Sequence, residues 1–234
     1  MTILITGSSK GIGKELVYYF SENHPDYKII AISRDNKKLQ EIKRDINSNN
    51  IYTISFDINN ILNNNNELID KIKEITQQID ILINNAGILI NKPFIDFTYK
   101  DAQNIFNTNF FAPSALIKTL LPLLRKSTNP HIVNISSMGG FQGSSKFPGL
   151  SYYSASKAAL ANITECIAEE FKDLNIKINC LALGAVQTEM LNNAFPDYKA
   201  PLNAKEMAEF IANFSINGSK YFNGKIIPVS LSSP

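Results

Sequence analysis

Thr2-Ile3-Leu4-Ile5-Thr6-Gly7-Ser8-Ser9-Lys10-Gly11-Ile12-Gly13 decides the fold. Thr2–Thr6 is β-branched and apolar, a strand pattern. Three glycines then occur within seven residues, and a helical stretch runs to about Glu22. A strand, a glycine turn and a helix together expose backbone N–H groups at a helix N-terminus, a place that holds anions. Glycine there permits positive φ and close backbone approach. The spacing is G-x3-G-x-G rather than G-x-G-x-x-G. It is not a P-loop either: Gly13-Lys14 is followed by Glu15, and no glycine stands five positions before Gly13.

Outward from this turn, strand-like runs alternate with helical ones. Strands are expected at Lys28–Ser33, Ile51–Phe56, Asp80–Asn84, His131–Ser136, Ile176–Leu183 and Lys225–Val229. Helices are expected near Asn36–Asn47, Leu62–Gln77, Thr98–Arg125, Tyr152–Leu174 and Ala204–Asn213. This alternation implies βαβ units and a parallel sheet. Continuous apolar strands imply helices on both faces. The expectation is a Rossmann-like, doubly wound, three-layer α/β fold of about seven strands. The run Asn63–Asn66 reads as a solvated loop or helix start. No linker divides the chain, so residues 1–234 are read as a single domain.

The 234 residues are 44% apolar and 19% charged, a globular composition. There are 28 Asn, 33 Ile and 20 Lys against 3 Arg, a bias of codon type rather than of function. Net charge is +2 without a block of like charges, which argues against nucleic-acid or polybasic membrane partners. Cys166 and Cys180 make neither a disulfide framework nor a zinc site, and no metal site is expected. No apolar run reaches the ~18 residues of a membrane span, and Ile3-Leu4-Ile5, without a cationic flank or a long apolar region, reads as a first strand rather than a signal peptide. A reducing, cytoplasmic setting follows as the expectation.

Two further motifs stand in register with the glycine turn: Asn84-Asn85-Ala86-Gly87 after the fourth strand, and Tyr153-Ser154-Ala155-Ser156-Lys157. With T-G-x3-G-x-G, N-N-A-G and Y-x3-K in this order, the chain resembles the classical short-chain dehydrogenase/reductase family along almost its whole length. The resemblance implies a nicotinamide cofactor and carbonyl/alcohol chemistry. It places Gly7, Ser9, Lys10, Gly11, Ile12 and Gly13 around the pyrophosphate, and Asn85, Ala86 and Gly87 along the cofactor cleft. It gives Asp57 and Ile58 to the adenine, and Val186 and Thr188 to the nicotinamide end.

Carbonyl reduction needs hydride at carbon and a proton at oxygen, and a nicotinamide supplies hydride. Tyr153 and Lys157 are i and i+4 on one helix and share a face. An ammonium beside a phenol favours phenolate and brings a poor acid toward working pH. Tyr152 is the competing phenol, but its i+4 partner is Ser156. Both Tyr153 and Lys157 would also touch the cofactor. The family's catalytic serine corresponds to Ser137, with Ser136 as the alternative, and it would hydrogen-bond the substrate oxygen. Asn109 matches the family's helix asparagine, which helps hold a water beside the lysine; Asn104 and Asn107 compete with it.

The second strand ends Ile32-Ser33-Arg34-Asp35. NAD-preferring relatives carry an acid where Ser33 stands. Its absence, with Arg34 next and Lys10 in the glycine turn, suits a 2′-phosphate. NADP(H) is therefore expected, with NAD(H) as the alternative and Asp35 as the residue that would favour it. The family's Pro-Gly after the sixth strand is Leu183-Gly184 here, which should loosen a turn. Residues 189–203 read as a short substrate lid. The reading is an NADPH-dependent carbonyl reductase acting on a 3-oxoacyl thioester or another small ketone. An NAD-dependent alcohol or sugar dehydrogenase and a non-catalytic nucleotide-binding regulator are the alternatives. The family also implies a homodimer or homotetramer, and Phe106, Phe110, Phe111, Leu116 and Leu120 make the fourth helix more apolar than one buried stripe requires.

Overall fold

The computed structural model describes residues 1–63 and 66–231. Two members of the Asn63–Asn66 run, residues 64 and 65, lie outside the described residues. Among the described residues nine strands form: β1 Thr2–Thr6, β2 Lys28–Ser33, β3 Ile51–Ser55, β4 Ile81–Asn84, β5 His131–Ser137, β6 Lys177–Leu183, β7 Val186–Gln187, β8 Leu202–Asn203 and β9 Ile226–Val229. The helices are α1 Gly11–Asn23, α2 Asn36–Ile46, α3 Asn66–Ile75, α4 Tyr99–Phe106, α5 Ala112–Leu124, α6 Ser151–Glu170, α7 Glu189–Ala194 and α8 Ala204–Asn217.

Seven strands make one parallel sheet in the order β3-β2-β1-β4-β5-β6-β9. Strand periodicity explains the continuous apolar runs. Ile3 and Ile5 face one layer, with Leu16 and Phe20 of α1, Leu39 of α2 and Ile211 of α8. Leu4 between them faces the other layer, with Leu68 of α3 and Leu116 and Leu120 of α5. Both faces are covered, as a doubly wound sheet requires. Pro228 sits on edge strand β9, where a missing donor costs no ladder bond on the open side.

The single helix expected over Thr98–Arg125 is broken. Between α4 and α5, residues Asn107–Phe111 form a π turn, and Ala112 N donates to Asn107 O. Pro113 has no N–H for the carbonyl four residues back, that of Asn109. One wide turn is the local response, and such turns cluster at functional sites.

The amino-terminal edge of the sheet holds a buried histidine. The His131 ring contacts Ser215 O through Nδ1 at 2.8 Å and Asn179 Nδ2 through Nε2 at 3.0 Å. Asn179 is oriented by Lys225 N donating to its Oδ1 and by Nδ2 donating to Phe222 O. A carbonyl on one side and an amide donor on the other assign the neutral tautomer with the proton on Nδ1. Burial pulls His131 down from 6.5 to about 4. A histidine depressed on folding stabilises fully above its unfolded pKa, and that contribution is lost as pH falls through 6.5 toward 4. The loss should approach about 3 kcal/mol. Urea midpoints taken across this range should fall in wild type and fall less in His131→Gln; parallel curves would exclude His131 as the cause.

Candidate functional site

In doubly wound sheets the crossovers change direction between β1 and β4, and ligands bind at that switch, beyond the carboxyl ends of the strands. A cleft of about 600 Å³ lies there. It is lined by every residue expected to serve catalysis or the cofactor except Gly13 and Asn109, which stand one layer behind it.

The glycine turn is braced by the motif after β4. Thr6 Oγ1 accepts from Asn85 N at 3.1 Å and from Ala86 N at 3.0 Å, while Asn85 Nδ2 donates to Thr6 O at 2.9 Å. Gly7 has φ +71° and Gly11 φ +54°. A Cβ on Gly7 would stand 2.9 Å from Ala86 Cα. A Cβ on Gly13 would overlap the Gly7 carbonyl, 2.9 Å from its carbon. Ile12 packs against the core and anchors the turn. The first turn of α1 carries no acidic residue, so its N–H groups are left to an external anion. These features fit a pyrophosphate.

At the ends of β2 and β3, Ser33 Oγ donates to Ser9 Oγ at 2.7 Å. Asp35 caps α2, accepting from Lys38 N at 3.0 Å. Arg34 pairs with Asp57 at 3.5 Å, and Asp57 also accepts from Asn59 N. Ile58 is buried beside it. Lys10, which precedes α1, and Lys38 on α2 both reach Glu189, at 3.4 and 3.9 Å. Three cations therefore gather at this end, and the acid that could serve a ribose, Asp35, is committed to a helix cap.

At the other end stand Ser137, Tyr153 and Lys157. Successive strand residues point to opposite faces, and this separates the two serines. Ser136 Oγ donates to Lys157 O at 2.8 Å. Ser137 Oγ accepts from Gly139 N at 3.2 Å and hydrogen-bonds Tyr153. Tyr152 turns away, its ring 5.8 Å from Phe94 and 5.0 Å from Phe97. Lys157 is buried, its Nζ donates to Ile135 O at 2.8 Å, and burial brings it down to about 8. The Tyr153 phenol differs from the expectation: burial pushes it up, and the opposing influence is the Ser137 hydrogen bond rather than the lysine.

Asn109 is fixed by its side chain. Its Oδ1 accepts from Ile88 N at 2.9 Å, and its Nδ2 donates to Ile88 O at 2.9 Å and Ser156 Oγ at 3.0 Å. The side chain clamps the loop after Gly87 to α6. Gly87 sits in the gap: a Cβ there would lie 3.3 Å from both Asn109 Oδ1 and Lys157 Nζ.

Val186 is buried beside the cleft. Thr188 caps α7, and its methyl lies close to Gly11. The short helix α7 crosses the mouth as a strap. Glu189 holds its first turn to Lys10 and Lys38, and Asn91 Nδ2 holds its last carbonyl, Ala194 O, at 2.7 Å. Leu183 in place of proline loosens nothing: β6 runs through it, and Gly184 N donates to Val229 O at 2.8 Å.

Sequence reasoning missed Lys38, Asn59 and Glu189. Lys38 lies one turn beyond Arg34 on a helix capped by Asp35, which was a usable signal. Asn59 Oδ1 is buried at the cleft without a hydrogen-bond partner among the described residues, a spare acceptor on the adenine side. Glu189 gives no local sign of its partners. Among the described residues, no three His, Cys, Asp or Glu gather to hold a metal, and no helix is long and apolar enough to cross a membrane.

The family model for short chain dehydrogenases matches residues 1–199. Dehydrogenase/reductase SDR family member 7B of Xenopus laevis is 30% identical over 82% of this chain, which spans 60% of that protein's length. Ketoacyl reductase HetN of Nostoc sp. is 32% identical over 81% of this chain and 65% of its own length. Among solved structures, ElxO with NADP bound is 29% identical with a TM-score of 0.85, covering 97% of this chain and 96% of that one. With a glycine turn, a braced Asn-Asn-Ala-Gly segment and a Ser, Tyr and Lys gathered at one sheet edge, the chain belongs to the short chain dehydrogenase family of oxidoreductases.

Proposed function

We propose that the protein is an NADPH-dependent reductase converting a carbonyl to an alcohol. The observation that carries this reading is the joint placement of Ser137, Tyr153 and Lys157 in the same cleft as the glycine turn. A bound nicotinamide cofactor supplies the hydride. The α1 N-terminus with Gly7, Gly11 and Gly13 would hold its pyrophosphate, and Asp57, Ile58 and Asn59 its adenine. Ser137 holds the substrate oxygen, and Tyr153 delivers a proton to it. Lys157 keeps a cation behind the phenol, and Asn109 fixes the loop that bears Gly87. The whole chain acts as one domain around one cleft, with 189–203 as its lid.

The choice of NADP(H) over NAD(H) is supported by Lys10, Arg34 and Lys38. Their present partners are an exposed Glu189 and a half-buried Asp57, and such solvent-accessible pairs are worth at most ~1 kcal/mol, so a dianionic 2′-phosphate competes well for them. Arg34→Ala should weaken NADPH binding by ~1.5–3 kcal/mol and NADH binding much less. Fluorescence titration with both cofactors checks this. Equal losses would mean that Arg34 does not meet the 2′-phosphate, and tighter NADH than NADPH in wild type would favour the NAD-dependent dehydrogenase.

We further propose a closed homo-oligomer with twofold symmetry, a dimer or tetramer. Leu116 and Leu120 are spent in the core. Phe106, Phe110 and Phe111 are a separate set, stacked edge to face along the π turn, with Phe111 48% exposed. Light scattering at micromolar concentration should give a multiple of the chain mass, and Phe111→Glu should lower it. A monomer in wild type would refute the assembly. The two free cysteines accord with a cytoplasmic location.

A further inference from the structure

We infer that the substrate is a neutral, apolar carbonyl compound, and that carboxylates, phosphates and polyols are excluded; this rests on the reductase reading above. The cleft is electrostatically divided. Its charged lining residues Lys10, Arg34, Asp35, Lys38 and Asp57 follow β1, β2 and β3, and Glu189 is paired to two of them. Ser137 closes β5, which stands three strands from β2 in the sheet order, about 14 Å away.

Beyond the residues of the cofactor motifs, the cleft lining includes the apolar side chains Leu89, Met138, Phe147, Leu150, Leu191 and Phe195, of which Met138 adjoins Ser137 and Leu150 precedes the helix that bears Tyr153. Lys157 also lines this end, but its Nζ is committed to Ile135 O. The neighbouring cations are spent outside the cleft. Lys92 pairs with Asp101 at 2.6 Å, and Lys146 donates to Phe141 O at 2.7 Å. An ionised group here would lose its water and find Lys157 alone among the described lining cations of this end, already held on Ile135 O behind Tyr153. A sugar would bring several hydroxyls to a wall whose apolar side chains offer them no partners beyond the hydroxyls of Ser137, Tyr153 and Tyr198.

The mouth extends the apolar surface. Phe147 is 60% exposed and Tyr198 49% exposed, one after β5 and the other beyond the strap. An apolar arm leaving the pocket between them would cover both rings. The substrate therefore carries its carbonyl at Ser137 and Tyr153 and an aliphatic or aromatic arm toward the mouth.

The test uses three carbonyl compounds with NADPH: a medium-chain aliphatic methyl ketone, the same chain ending in a carboxylate, and a ketose. Wild type should favour the apolar ketone over each of the others by at least ~100-fold in kcat/KM. Phe147→Lys places a cation at the mouth on an exposed position and should narrow the ketone-to-carboxylate ratio to below ~10-fold, with NADPH affinity as the control for folding. Equal use of the carboxylate or the ketose by wild type overturns the substrate class and leaves the reductase standing. So does an unmoved ratio in a folded Phe147→Lys. Cofactor binding without oxidation by any of the three compounds overturns the reductase reading and this inference with it.

Discussion

Tyr153→Phe should bind cofactor as wild type does and turn over ~10²–10⁴-fold more slowly, the range of a lost general acid. The substitution removes one hydroxyl and keeps the ring, so the cleft wall is preserved. What is lost is the proposed proton source, the phenol that lines the cleft together with Ser137. Tyr152→Phe is the matched control: its ring is stacked on Phe94, meets Phe97 edge-on and does not line the cleft. Steady-state rates of both variants decide the matter. Near-normal turnover in Tyr153→Phe, or an equal loss in Tyr152→Phe, would remove Tyr153 from the acid role.

Gly13→Ala should be nearly as damaging, by a different route. The added methyl meets the Gly7 carbonyl and the Asn85 side chain. That side chain holds Thr6 O, so relief of the clash opens the turn. Overpacking of this kind costs about 1–3 kcal/mol of stability. Misaimed N–H groups should weaken cofactor binding by ~10–100-fold, the weight of a charged hydrogen bond or more. Thermal denaturation reads the first effect and cofactor titration the second. A variant that binds cofactor at wild-type affinity would show that the turn is not the pyrophosphate cradle.

Much of this was legible because it is local. Thr6–Gly13, Asn84–Gly87 and Tyr153–Lys157 are contiguous motifs, and one strand or helix positions each of them. The break between α4 and α5 was not read, although Pro113 marks it. A proline also opens ordinary helices, and what settles the wide turn is the clamp of Asn109 on Ile88 from another segment. The strap α7 is too short to show periodicity, and its tethers at Lys10, Lys38 and Asn91 come from three distant parts of the chain. The phenol's environment was misjudged for a related reason. Helix spacing tells which side chains are neighbours, but the burial that pushes Tyr153 up is a property of the assembled cleft.

Strand β5 begins at His131 and ends at Ser137. Its two ends, about 20 Å apart, answer to acid in different ways. One end is a buried ring that resists protonation until the fold yields; the other carries the Ser137 hydroxyl at the cleft, the group proposed to hold the reacting oxygen. Loss of rate in mild acid can therefore originate at the end where no chemistry occurs. A pH–rate curve for this enzyme acquires a chemical meaning once the acid limb is measured in His131→Gln beside wild type. A limb that moves with that substitution belongs to folding, and one that stays belongs to the cleft.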